Sequence, residues 1–231
     1  MITYNGIRME SVASVQIQDI HISPIKNEPV ARARPIRAGA ELVRNRKGTR
    51  TVVVTFTLLD ENEVHRQESI LAISEWAKTD KEYKIEIDNY PGLYLTGVCT
   101  QKPDVSLREW WQSVQIVFTC FNDPFWNSVS EKSASCGTDF YVLGDAPPLM
   151  RIERTLGSSA SNQSYGLNGN TITFSTIPAG NLVIDLDAET AVVGTTDIMQ
   201  YYNMNSRFLV PKTGKQKVTG TGTVKYRERW E

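Results

Sequence analysis

The chain has 231 residues, 40% of them hydrophobic, with a formal net charge of −1 and a pI near 6.2. That apolar content suffices for one large or two ordinary packed domains and excludes bulk disorder. The near-neutral balance excludes a dedicated nucleic-acid binder, and no apolar run approaches the roughly 18 residues that span a bilayer.

Met1-Ile2-Thr3-Tyr4-Asn5-Gly6 lacks the charged start and apolar core of a signal peptide. Residues 11–22 alternate and predict a strand, interrupted near Asp19 and ended before Pro24. Residues 26–50 change character. Arg32, Arg34, Arg37, Arg44, Arg46, Lys47 and Arg50 crowd together, and Glu41 is the only acid after Glu28. Pro29, Pro35 and Gly39 punctuate the run, which reads as an extended loop or a long hairpin arm. It is either a solvated charged loop or an arm that docks onto an acidic neighbour or an adjacent copy. These seven basic residues are the candidate assembly surface.

Residues 50–59 are rich in β-branched side chains and predict a strand. Asp60-Glu61-Asn62 offers N-cap chemistry to a helix over 63–78. Ile70, Ile73 and Ala77 share a helical face with Trp76 beside them, so Trp76 reads as a core anchor. Glu63, Glu68, Glu75, Arg66 and Lys78 fall on the expected wet side. Tyr83–Asp88 alternates, Asn89-Tyr90-Pro91-Gly92 turns, and Leu93–Cys99 is the next strand, followed by a polar connection over 101–109. In residues 114–120, Val114, Ile116, Phe118 and Cys120 face one way and Gln115, Val117 and Thr119 the other, as in a half-buried antiparallel strand. Asn122-Asp123-Pro124 stops it, and Phe125 and Trp126 then need cover.

Residues 127–147 turn towards Ser, Gly, Asp and Pro, which places a domain boundary there, with a first domain over 1–134 and a second over 135–231. The second half predicts short strands at 149–155, 171–176, 181–187, 190–194, 207–210 and 216–230, with no helical period. Short strands with Gly- and Asn-rich separators read as a β-sandwich. The expected class is therefore mainly β, with two sandwich-like domains and one helix flanking the first.

The sequence proposes little chemistry. His21 and His65 lie far apart and without a ligand-spaced partner, so no metal or cofactor is expected. No nucleophile elbow or phosphate loop occurs, and Gly220-Thr221-Gly222 sits in an alternating Thr-rich run. Asp185 and Asp187 share a strand face and read as a wet face at a turn rather than a catalytic or calcium pair. Asn162-Gln163-Ser164 is a chance glycosylation match. Three cysteines, Cys99, Cys120 and Cys136, fit no disulfide framework and read as reduced thiols, as expected for a protein made in a cytoplasm.

Several of these features occur in one order. The basic segment leads into Val52–Leu58, then come Glu75-Trp76-Ala77, Tyr90-Pro91-Gly92-Leu93-Tyr94 and Val117–Trp126. In this the chain resembles the distal tail protein family of long, non-contractile-tailed bacteriophages. Leu182–Asp185 and Val224–Trp230 resemble strands of that family's C-terminal galectin-like sandwich. The resemblance spans nearly the full length. Pro211-Lys212-Thr213-Gly214 departs from the tight Pro-Gly turn the family often has before its last strands.

The resemblance implies a virion protein at the phage tail tip, forming a six-fold ring without catalysis. The ring would join the tail tube protein above to the tail-associated hub protein below, and in some relatives the second domain anchors receptor-binding proteins. DNA would pass through the lumen unheld, which directs the basic arm towards protein, since clustered arginine at phosphate binds by counterion release. A carbohydrate-binding adhesin is the competing expectation, with Tyr201, Tyr202 and Trp230 as candidate stacking platforms. An enzyme is the third and would need a pocket the sequence does not announce.

Overall fold

The first hairpin is set by two residues. Asn5 and Gly6 both adopt positive φ, 51° and 77°, the conformation a tight hairpin turn needs. They join β1 (Ile2–Tyr4) to β2 (Ile7–Arg8). The computed structural model describes residues 1–33, 40–103 and 113–231, with 31–33 and 40–46 described by backbone alone. The chain divides into two units, Met1–Trp126 with Glu231, and Asn127–Trp230.

The first unit continues with β3 (Val15–Ile22), β4 (Asn27–Ala33), β5 (Ala40–Lys47), β6 (Arg50–Leu58), α1 (Glu63–Trp76), β7 (Tyr83–Ile87), β8 (Leu93–Gln101) and β9 (Val114–Cys120). A 3-10 turn at Met9–Ser11 delays β3, which therefore starts at Val15 rather than at residue 11. Antiparallel pairing runs β2-β1-β7-β8-β9-β6-β3. The register of β3 against β6 shifts between Ile17 and Asp19, which is the interruption expected near Asp19.

The alternation of β6 and β9 is realised in burial. Val52, Val54, Phe56 and Leu58 point inward, as do Val114, Ile116, Phe118 and Cys120. Tyr4, Trp76 and Phe118 form an aromatic knot, with ring centroids 4.8 to 6.0 Å apart. The Trp76 indole N–H donates to the Ile7 carbonyl at 3.1 Å, so its polar handle is satisfied inside the core. Tyr4 likewise hydrogen-bonds Thr79 at 2.6 Å, and burial pushes its phenol up from the ordinary value. The helix starts where the Asn62 side chain accepts the Val64 N–H at 2.8 Å.

The division between units falls within β10 (Trp126–Ser128). The second unit then has β11 (Lys132–Ser135), β12 (Asp139–Val142), β13 (Ala146–Leu156), β14 (Ala160–Leu167), β15 (Asn170–Ile177), β16 (Gly180–Asp185), β17 (Thr190–Val193), β18 (Thr196–Asp197), β19 (Gly214–Lys217) and β20 (Thr223–Trp230). Residues 127–134, placed with the first domain from sequence, fall in this unit, where β11 pairs with β20. One layer is β18-β17-β16-β13-β20-β11. The hairpins β12–β19 and β14–β15 supply the other. Their inward residues, such as Tyr165, Ile172 and Phe174, join Ile152, Ile184 and Val224 in a single apolar cluster. That is a β-sandwich.

Three expectations fail here. The stretch 207–210 is not a strand; it follows a turn held by the Tyr202 hydroxyl, which donates to the Ser206 carbonyl at 2.7 Å. The run 216–230 is two strands, because Gly220 and Gly222 take φ of 117° and 130° between them. Strand β14 was not expected at all.

Candidate assembly surface

The basic run folds as the hairpin β4–β5, paired from Asn27↔Lys47 to Ala33↔Ala40 with a bulge at Val30/Ala31. Its base is tightly fixed. The backbone N–H groups of Ser23, Lys26 and Gly48 donate to the carbonyls of Thr51, Thr49 and Lys26. Gly48 is closely packed there, since a Cβ would lie 2.8 Å from the end of the Glu28 side chain and 3.0 Å from the Lys26 carbonyl. Lys47 forms an exposed ion pair with Glu231 at 2.7 Å.

The seven basic candidates separate in the structure. Arg32, Arg44 and Arg46 lie on the hairpin strands, whereas Arg34 and Arg37 fall outside the described residues. Lys47 sits at the hairpin base. Arg50 belongs to the body, only 4% exposed on β6 opposite Cys120. Beside it a cleft of about 530 Å³ opens between the hairpin base, Tyr90 and Trp126, whose rings stack at 4.7 Å.

Sequence reasoning missed a second surface on the same unit. Helix α1 buries Arg66, Ile73 and Trp76. Arg66, expected on the wet side, instead turns under the helix start, and its guanidinium donates to the carbonyls of Asp60 and Glu61 at 3.2 and 2.6 Å. The opposite face carries Val64 and Leu71, 58% and 69% exposed, flanked by the exposed Glu68 and Glu75. Leu59, 54% exposed, lies just before the helix. The missed signal is the spacing: Val64 and Leu71 are seven apart, hence on one face, and that face is nearly opposite Ile73.

The remaining candidates resolve into structure. The Asp185 carboxylate accepts the N–H groups of Asp187 and Ala188 at 3.0 Å, which makes it a turn residue. No group of three or more His, Cys, Asp or Glu side chains fit to hold a metal occurs among the described residues. The three cysteines are free, and burial pushes the Cys120 thiol up to about 12. Tyr202 packs its ring on Phe174 and Phe208. Tyr201 packs against the same core, and Trp230 is half-buried on β20. A polar cleft of about 460 Å³ in the second unit, lined by Asn170, Thr171, Asn205 and Arg207, includes none of these three aromatics.

No family model and no curated protein matches the sequence. Among solved structures, two forms of the phage P2 baseplate in its activated conformation, with Ca and with Sr, cover 96% of the chain and 92% of theirs at 8% and 9% identity, with a TM-score of 0.43, too low to argue from. The SPP1 Dit protein (gp 19.1), presented as a paradigm of the hub adsorption apparatus of phages that infect Gram-positive bacteria, aligns at a TM-score of 0.79 and 17% identity. The alignment covers 100% of this chain and 98% of that one, so from end to end the chain has the fold of SPP1 Dit.

Proposed function

We propose that the chain is a structural protein of a bacteriophage tail tip, a distal tail component that forms a ring between the tail tube and the tail-tip and receptor-binding apparatus. The observation that carries this reading is the full-length fold agreement with SPP1 Dit, in which both units align in one pass of the chain. The first unit is the ring-forming body and the second is a galectin-like sandwich. The partners are further copies of the chain, six to a ring, with the tail tube protein on one side and the hub protein on the other. Receptor-binding proteins attach through the second unit. The protein works by shaping and joining surfaces rather than by turnover.

A ring is a heterologous, closing contact, so each copy presents two different complementary surfaces. The basic hairpin is one of them. Electron micrographs and native mass spectrometry of the purified chain test the reading. Closed rings are expected, and deletion of residues 30–48 leaves a folded monomer. Rings that persist after the deletion exclude the arm, and a chain that never assembles at any concentration overturns the ring.

A further inference from the structure

We infer that the polar cleft of the second unit is a binding site for a small hydroxylated anion, a sugar or polyol that carries a carboxylate or a phosphate. This goes beyond the ring reading and does not depend on it.

The cleft is built on the outer edge of β15. Thr171 and Thr173 alternate with the buried Ile172 and Phe174, so their side chains leave the strand on the face away from the core. On one side β15 pairs with β14. On the other side a short loop takes its carbonyls: the N–H groups of Asn203 and Arg207 donate to Thr173 and Thr171 at 2.9 and 3.0 Å. Residues 204–206 bulge between these two bonds, with Met204 88% exposed at the tip. The bulge is closed on itself. The Asn203 side chain accepts the Asn205 N–H at 3.0 Å, and the Asn203 carbonyl accepts the Ser206 N–H and hydroxyl at 2.8 and 2.6 Å. The Tyr202 hydroxyl donates to the Ser206 carbonyl from a ring packed on Phe174 and Phe208. The wall is therefore ordered before any ligand arrives, which lowers the entropy cost of binding.

The volume, about 460 Å³, suits a small molecule, whose sites run from roughly 300 to 1,000 Å³. The chemistry narrows the class. Asn170, Thr171, Thr173, Asn205 and Arg207 line the cleft, and no aromatic or aliphatic side chain does. An apolar ligand would gain no burial there, and a ring would find nothing to stack on. The Thr173 hydroxyl is shared with Ser164 at 3.1 Å. Among the described residues, the side chains of Asn170, Thr171, Asn205 and Arg207 form no hydrogen bond or ion pair. Two amides and a hydroxyl each offer a donor and an acceptor, the pairing that successive hydroxyls of a sugar or polyol satisfy. Arg207 is the one ionised side chain on the described lining. Its planar fork matches a carboxylate or phosphate, so the cleft asks for both groups in one molecule.

The test is a titration of the isotope-labelled full-length chain, read by backbone amide shifts. The probes are glucuronate and glycerophosphate, and glucose and inorganic phosphate are the controls. Saturable shifts confined to residues 169–173 and 203–207 are expected with at least one probe, and which one responds separates a sugar acid from a polyol phosphate. Both controls should bind at least about tenfold more weakly, since each meets only half of the lining. No saturable shift with either probe, or shifts centred elsewhere, overturns the site. Glucose binding as well as the probes overturns the anion, and inorganic phosphate doing so reduces the cleft to a plain charge spot. Arg207→Gln keeps the N–H that holds the loop and should weaken the probe more than about tenfold. Arg207→Lys, which keeps the charge without the fork, should fall between the two. Asn205→Ala, which leaves the charge in place, should weaken the probe about threefold. Thermal melting of all three should match wild type, because these side chains hold nothing in the fold. If Arg207→Gln, or Asn205→Ala, binds the probe as tightly as wild type, the assignment falls.

Discussion

Two hairpins of nearly equal length meet opposite fates in this molecule. β14–β15 and β4–β5 each form a two-stranded sheet of their own. The former places Tyr165, Leu167, Ile172, Phe174 and Ile177 into the sandwich core, all at most 2% exposed. The latter, where described, keeps Asn27, Glu28, Pro29 and Val30 exposed and has few large apolar residues in its sequence. Alternation decides the outcome. A hairpin with one apolar face offsets its ordering entropy by joining a core, whereas the described residues 27–30 of the arm stay exposed.

The largest effect should fall on the buried hairpin. Phe174→Ala empties the centre of the second unit, and chemical denaturation should show a loss of about 3–5 kcal/mol. A loss below about 1 kcal/mol would mean that β14–β15 is dispensable to the core, and the contrast between the hairpins would collapse. Next comes the helix of the first unit. Asn62→Ala removes the acceptor for the Val64 N–H and should cost about 1 kcal/mol, with fraying of the first turn visible in amide exchange.

The two hairpins also differ in how far the sequence disclosed them. The arm was legible because seven basic residues in one stretch need no periodicity to be noticed. The buried hairpin was not. Ser161, Asn162, Gln163 and Ser164 make the first part of β14 look like a loop, and only Tyr165 and Leu167 carry the inward pattern. The turn was the better signal. Asn168-Gly169, with φ of 51° and 83°, and Asn5-Gly6 are strong short hairpin marks, and residues 166–170 read in the sequence as a separator between strands without fixing the strand before them. By contrast β9 and α1 were readable, since each has a full period of large apolar residues. The helix misled in one respect. Val64 and Leu71 look like core residues in the sequence, and Arg66 looks wet. Their roles are exchanged because a guanidinium can reach two backbone carbonyls under the helix start, whereas Val64 and Leu71 have no inward direction available. The exposed apolar face of α1 was therefore hidden by residue types that usually mean the opposite.

A smaller effect should appear in the sheet against which β14–β15 folds. Glu153 on β13 accepts from Arg151 Nε at 2.6 Å and pairs with Lys225 at 2.9 Å, and these cations hold its carboxyl below the ordinary 4.5. A depressed value in the folded state adds stability above the unfolded value, and that contribution is lost as pH falls through the folded value. The partners are about a third exposed, so the contribution is under about 1 kcal/mol. Glu153→Gln should thus be slightly less stable than wild type near neutrality and equal to it in strong acid. A gap that stays constant with pH would assign the loss to packing rather than charge.

The smallest expected effect bears most directly on the contrast. Val30 lies on the arm and is 38% exposed, so Val30→Ser should change the stability of the monomer by less than about 0.5 kcal/mol. Its β-branched side chain then has no folding role in the single chain, and any cost must show in association instead. Denaturation of dilute monomer separates the two, because stability that comes from assembly depends on protein concentration and intrinsic stability does not. If dilute Val30→Ser loses more than about 1.5 kcal/mol, the residue packs on its own body as a core position does. The arm would then be a second buried hairpin, and its partner would have to be sought within the same copy.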